Sequence, residues 1–377
     1  MAKMNHSQLA DSLKSNIING TYSPGEKIPT EPELSKLFSA TRYAVRQAVA
    51  QLEKEGFLQR IQGSGTYVTK SLPQLPAERE VSSPSDTIGL IMMDDRNYIF
   101  SEVMRGASDY LTSQGYLMNF FMTDTNYDSE KRALDMLLKS RPAGVLLEPI
   151  NSGLLSVNYD LYQQLASQVP CLLLHSPDIG ICPSLSLHDR EGAKMLTEYL
   201  IGLGHSRIGT LFCFEESTAQ KRYCGFLEAL REHGFTQEKD AAVWTLRSRV
   251  NDFFEPAGAL ALDRMLQRVT AIFCHDDRVA YALIRHLEQK GIRVPQDISV
   301  VGYDDSFYAT LGLPITSVTH PKAQYGINAA QALLEMIHSS GPIDLSRFTV
   351  MPELVIRSSA AAPAVPESST TETVTNR

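Results

Sequence analysis

No apolar run in this 377-residue chain reaches the roughly 18 residues that a membrane span requires. The opening stretch, MAKMNHSQLADSLKS, lacks the apolar core of a secretory leader. Both absences point to the cytoplasm and to no membrane partner. Cysteines are few, five in all (Cys171, Cys182, Cys213, Cys224, Cys274), and none form a CxxC pair. An odd count without metal-ligand spacing argues against a zinc site and reads as reduced, mostly buried thiols. Catalytic signatures are missing too. There is no GxSxG and no phosphate loop, and GLGHS at 202–206 lacks the GxGxxG spacing of a dinucleotide site. Neither an enzyme nor a cofactor is expected.

An excess of positive charge is also lacking, since the net charge is −8. The balance is uneven, however. Residues 1–70 carry nine Lys/Arg against six Asp/Glu, a net of +3, so the other 307 residues carry −8 − 3 = −11. A small basic head on an acidic body means that only the head meets a polyanion.

What is present divides the chain. TKSLPQLPAEREVSSPSD (69–86) has three prolines and four serines and reads as a linker at 71–86. Residues 360–377 are poor in large apolar residues and read as a disordered tail. Between them, at 87–359, apolar strands recur: TIGLIMM (87–93), LMNFFMT (117–123), AGVLLEP (143–149), PCLLLH (170–175), IGTLFCF (208–214), AIFCH (271–275) and ISVVGYDD (298–305). Amphipathic stretches such as FSEVMRGASDYLTSQG (100–115) separate most of them. The beat predicts an α/β body of parallel sheets in two lobes with a cleft between.

The head, 1–70, reads differently. Leu9, Leu13 and Ile17 share a helix face, Thr30 and Glu33 make a capping box, and Thr41 caps a third helix that Gly56 stops. Val45, Val49 and Leu52 face the core of that helix, while Arg42 and Arg46 share a flank beside Tyr43. FLQRIQGSGTYV follows as strand, tight glycine turn, strand. Helix, turn, helix and hairpin wing is a winged helix-turn-helix, whose recognition helix fits the DNA major groove.

GEKIPTEPELSKLFSATRYAVRQAVAQLEKEGFLQRIQGSGTYV resembles the DNA-binding domain of the GntR family over its whole length. The resemblance implies DNA contact by Thr30, Glu31, Thr41, Arg42, Tyr43 and Arg46, and by Gln62, Gly63 and Ser64 in the wing. Many members place a basic residue after the first glutamate of (S/T)-E-x-E-L; Pro32 stands here, so no direct base contact is expected from it. The body instead resembles the effector domain of LacI/GalR repressors, itself similar to type I periplasmic binding proteins, through LIGLGHSRIG, VPQDISVVGYDD, PITSVTHP and PELVIRSSA. The combination resembles the arabinose-repressor subgroup. It implies a sugar-controlled repressor released from operator double-stranded DNA by its ligand, L-arabinose, and acting as a homodimer.

In parallel sheets, ligands sit beyond the carboxyl ends of strands. The polar residues there are Asp94, Asp95, Glu148, His175, Asp276, Asp277, Asp304 and Asp305. By resemblance, Arg222 falls where an arginine grips ligand hydroxyls, and Asp276 and Asp304 fall at ligand-contacting positions. Glu148 falls on a Glu-Pro shared by the arabinose subgroup. Strand-end acids also cap the following helix, the role expected of Asp277 and Asp305. His175 stands open between ligand contact and a satisfied loop histidine, and Lys221 is expected in solvent. Tyr98, Phe100 and Phe307 are candidates to stack on a sugar or to pack a lobe. The rival readings are an enzyme or an extracytoplasmic sugar receptor on the same body, or a repressor for another sugar or a nucleoside.

Overall fold

The computed structural model describes residues 6–18, 21–61, 63–69, 85–93, 98–177, 180–238, 240–246, 251, 253–339 and 341–364. Gln62 and Asp94 lie outside them. The chain divides into two units, residues 1–83 and 84–377.

In the first unit, α1 (His6–Ile18) buries Leu9, Leu13 and Ile17 against α3 (Arg42–Lys54), which contributes Val45, Val49 and Leu52. The short α2 (Glu31–Leu37) starts where the Glu33 carboxylate accepts from both the Thr30 backbone N–H and its hydroxyl, each at 2.7 Å. Thr41 caps α3, its Oγ1 accepting from Ala44 N at 3.2 Å. Gly56 turns left-handed (φ +81°) and ends the helix. The hairpin β1 (Leu58–Ile61) and β2 (Gly65–Val68) is antiparallel, and Gly63 at its tip has φ +76°. Open space surrounds that glycine, so the turn needs its backbone freedom and not its small size.

The second unit has two lobes. In the first, β3 (Thr87–Met92), β4 (Leu117–Met122), β5 (Gly144–Leu147), β6 (Cys171–Leu174) and β7 (Ser184–Leu185) form a parallel sheet ordered β4-β3-β5-β6-β7. In the second, β8 (Ile208–Cys213), β9 (Ala242–Thr245), β10 (Ala271–Cys274) and β11 (Ser299–Val301) form a parallel sheet ordered β11-β10-β8-β9. All seven expected strands are present. Strand β9 had no clear signal, because AVWT is half-buried at the sheet edge.

Helices cover both faces, as the fully buried inner strands require. The first lobe has α4 (Phe100–Ser113), α5 (Tyr127–Ser140) and α6 (Tyr159–Ala166); the second has α7 (Asp189–Gly202), α8 (Ser217–Glu232), α9 (Pro256–Leu266) and α10 (Asp277–Gln289). The chain passes from β7 to α7 and so into the second lobe. It returns from β12 (Ser317–Val318) to α11 (Lys322–His338), which packs along α4 in the first lobe, and crosses back to β13 (Leu354–Val355), paired with β12. Close approach of α4 and α11 depends on glycine. A Cβ on Gly106 would lie 2.1 Å from Ala323 O, and one on Gly326 1.9 Å from Val103 O. The first residues assigned to the tail, 360–364, are described. Ala361 lies against the second lobe, its N–H donating to Ser299 Oγ and its carbonyl accepting from it, both at 3.1 Å.

Candidate functional site

A cavity lies between the lobes at the carboxyl ends of the strands. Five of the expected ligand residues line it: Glu148, His175, Arg222, Asp276 and Asp304, with Tyr98 and Phe100 among their neighbours. Its space open to water centres is about 40 Å³. A sphere of that volume, widened by a water radius of ~1.4 Å, is roughly 7 Å across, which suits one sugar ring and not two.

Backbone turns bring these side chains inward. His175 follows β6 with φ +48°, and Asp304 follows β11 with φ +90°, both left-handed and unfavourable for a residue with a Cβ. Packing holds them there. The His175 N–H donates to the Tyr325 hydroxyl at 3.0 Å, and the two rings stack with centroids 4.4 Å apart. His175 Nδ1 lies 3.0 Å from Glu148 Oε1, and its Nε2 lies 3.2 Å from His320 Nε2.

Arg222, 3 % exposed, sits at the centre of the second lobe's wall. Its Nε donates to Asp189 at 2.9 Å, Nη1 to the His275 carbonyl at 2.6 Å and Nη2 to Asp304 at 2.9 Å, while the guanidinium stacks 3.7 Å from the Tyr303 ring centroid. Burial opposes that charge, but Asp304 and Asp189 outweigh burial and hold the group protonated beyond the ordinary arginine range. Three of the five N–H groups of an arginine are thus spent on the protein, leaving two for a ligand.

Bonds between the lobes close the cavity. Tyr98 donates to Asp304 Oδ2 at 2.6 Å, Gly153 N to Glu215 O at 2.8 Å and Ser217 Oγ to the His175 carbonyl at 2.6 Å. Around the enclosed space, four carboxylates (Glu148, Glu216, Asp276, Asp304) face the single guanidinium of Arg222. The wall is rich in hydrogen-bond acceptors and hostile to anions, which suits a neutral polyol.

On the head, Arg42, Tyr43 (72 % exposed) and Arg46 are exposed on α3, as a groove-reading helix requires. Glu31 lies between two cations: Arg46 Nε donates to it at 2.9 Å, and Arg60 Nη2 lies 3.8 Å away. Thr30 and Thr41 are engaged at the starts of α2 and α3. In the wing, Ser64 Oγ lies 2.6 Å from the Tyr67 hydroxyl, beside the bare backbone of Gly63.

Residues 5–68 match the family described as bacterial regulatory proteins, gntR family, and residues 197–360 match the periplasmic binding protein-like domain. The chain is similar to an arabinose metabolism transcriptional repressor of Geobacillus stearothermophilus, 32 % identical over 93 % of this chain and 96 % of the relative. One of the same description from Halalkalibacterium halodurans is 33 % identical over 86 % and 87 %. The chain belongs to this family of GntR-headed transcriptional repressors. A LacI family regulator from Mycobacterium smegmatis shares the fold of the body, with a TM-score of 0.64 and 26 % identity over 74 % of this chain and all of that one. The protein is a sugar-responsive DNA-binding repressor and not an enzyme.

Several expectations about the repressor's cavity need correction. Asp276, not Asp277, caps α10: its Oδ1 accepts from Val279 N at 2.7 Å, while its Oδ2 has no hydrogen-bond partner among the described residues. Asp277 instead points inward, accepting from Ser306 N and Ser317 Oγ at 2.6 Å each, and burial raises its carboxyl to about 8. Asp305 pairs with Arg357 at 2.6 Å. Lys221 is half-buried and donates to Ser186 Oγ at 2.9 Å, so it is not a solvated neighbour of Arg222. Phe307 is 67 % exposed and outside the cavity lining.

Sequence reasoning missed Glu216, His275 and His320, which also line the cavity. His275 directly precedes Asp276, so the end of β10 held the signal. His320 sits in a crossover that only the folded topology brings to the cleft. Cys213, Glu216 and His275 place ligating atoms within 4.8 Å of one another, and a soft divalent metal fits such a donor set. His275 Nε2 is already 3.0 Å from Glu216 Oε2, so that pair is hydrogen-bonded as it stands.

Proposed function

We propose that the effector is L-arabinose, that it occupies the cavity between the lobes, and that it releases a homodimer of this repressor from its operator. The observation that carries this reading is the cavity itself: one sugar ring in size, bounded by Glu148, His175, Arg222, Asp276 and Asp304. Two relatives of matching length are named for arabinose metabolism, which favours this pentose over other neutral sugars. Glu148, Asp276 and Asp304 accept from sugar hydroxyls, and Arg222 donates through its remaining N–H groups.

On DNA, Arg42 and Arg46 read base edges or phosphates in the major groove, Tyr43 flanks them, and Gly63 and Ser64 bring the wing to the backbone. Glu31 would repel phosphate, so its role is to orient Arg46, with which it already pairs. A single recognition helix spans too few base pairs to mark a genomic site, so two copies on a two-fold symmetric operator are required. Sugar and DNA then oppose each other through one coupling free energy, and that coupling is reciprocal.

Gel-shift titration of operator DNA with and without L-arabinose tests the reading. The sugar is expected to weaken operator binding by roughly 5–150-fold, and operator to weaken sugar by the same factor. Glu148→Gln is expected to lower L-arabinose affinity by calorimetry while the melting temperature stays near wild type. Equal operator affinity with and without sugar, or a protein that stays monomeric on operator, would sink the proposal.

A further inference from the structure

His320 lies where three parts of the body meet, and nothing above assigns it a task. It belongs to the crossover between β12 and α11, and its backbone N–H donates to Asp304 O at 3.3 Å in the second lobe. Its ring touches the first lobe, with Nε2 3.2 Å from His175 Nε2 and the Tyr325 ring edge-on at 5.7 Å. The side chain lines the cavity and is buried, and its Nδ1 has no hydrogen-bond partner among the described residues.

The hydrogen-bond order around it narrows what can satisfy that atom. Burial above all, with the positive charges of Lys322 and Arg222 adding to it, pushes the His320 imidazole well below its usual range, so the ring is neutral. A neutral imidazole carries one N–H and one lone pair. His175 Nδ1 faces the Glu148 carboxylate and therefore carries a proton. With His175 neutral, its Nε2 accepts from His320 Nε2–H, and His320 Nδ1 is left as a bare acceptor. With His175 protonated the order reverses, and His320 Nδ1–H becomes a bare donor. A hydroxyl meets both cases because it donates and accepts. A carboxylate or phosphate meets only the second, and it brings negative charge among Glu148, Asp276 and Asp304.

We propose that His320 is a specificity-determining residue that takes one hydroxyl of the bound sugar through Nδ1. The proposal rests on the sugar reading given above and adds to it the requirement for a hydroxyl at one defined place on the ring.

Calorimetry on the full chain tests it, with L-arabinose and its monodeoxy analogues against wild type, His320→Leu and His320→Gln. Losing the bond is expected to weaken L-arabinose by about 5–150-fold in His320→Leu, the range for a buried polar group left unpaired. His320→Gln, whose amide donates and accepts, is expected to recover most of that loss. One deoxy analogue is expected to lose a similar factor on wild type and nothing further on His320→Leu. A purely structural role would weaken every analogue alike, and that result overturns the assignment, as does wild-type affinity in His320→Leu. Should His320→Leu fail to fold in a thermal melt, His320→Asn, whose shorter amide keeps the polarity without the reach, takes its place. If wild type binds no neutral monosaccharide at all, the sugar reading falls and this inference falls with it. Sugar binding that is normal in the variants removes this inference alone.

Discussion

Tyr98 and Asp304 meet across the cleft, the tyrosine hydroxyl of the first lobe donating to the aspartate Oδ2 of the second at 2.6 Å. The same carboxylate holds Arg222 through Oδ1 at 2.9 Å, so closure of the lobes and the order of the second lobe's wall share one side chain. Burial, followed by the charges of Asp304 and Asp276, pushes the Tyr98 phenol well above its usual range, so it remains a donor. Tyr98→Phe deletes this bond with little change of shape. A hydrogen bond to a charged group is worth about 1.5–3 kcal/mol. Sugar affinity measured by calorimetry is therefore expected to fall by at least tenfold if closure is part of binding. An unchanged affinity would show that the other bonds between the lobes suffice.

Arg222 is more than a ligand contact. Removing it strands Asp189 and Asp304, both buried, without their cation. Breaking one side of a buried ion pair costs about 3–5 kcal/mol. Arg222→Met is expected to lower the melting temperature of the protein markedly, and Asp304→Asn in the same chain to recover part of the loss. A melt that matches wild type would contradict the ion-pair account.

Asp277 sets a pH dependence with a definite sign. Its folded carboxyl is raised by burial to about 8, against ~3.9 in an unfolded chain. Between those values the folded state holds the extra proton, so stability is full below about pH 4 and is lost as pH rises toward 8. Asp277→Asn mimics the protonated form and is expected to flatten that decline. Melting curves from pH 5 to 9 check this, and parallel pH profiles for wild type and variant would refute it.

On the head, Arg46→Ala is expected to cost about 1–3 kcal/mol of specific operator binding. Glu31→Gln frees Arg46 from its partner and removes a carboxylate near the groove. It is expected to strengthen non-specific DNA binding while narrowing the gap between operator and random sequence. Equal gel-shift affinities for Arg46→Ala and wild type would take Arg46 out of the interface.

How much of this was legible beforehand differs by element. The head's three helices and wing followed from local signals: Leu9, Leu13 and Ile17 at fourfold spacing, Thr41 as a cap, and glycines at 56, 63 and 65 where the backbone turns left-handed. The seven apolar strands were equally plain; six are buried on both faces and so are nearly unbroken apolar runs, while β4, at the sheet edge, is apolar but largely exposed. Parallel topology then located the cleft, since strand carboxyl ends must gather on one side of a sheet. The division of labour among the side chains there was not legible. Asp276 and Asp277 are adjacent and chemically identical, and only the start of α10 decides that one caps and faces the cavity while the other is buried behind Ser306 and Ser317. Arg222 reads the same whether a solvated neighbour or two buried carboxylates hold it. His320 lies 145 residues from His175 in sequence, and only the return of the chain to α11 puts their rings together. Sequence alone determined what repeats locally, helix faces, strand runs and caps, because those depend on neighbours a few residues apart. Tertiary structure decided which polar groups share a buried space, because that depends on desolvation and on partners that the chain supplies from three separate crossings.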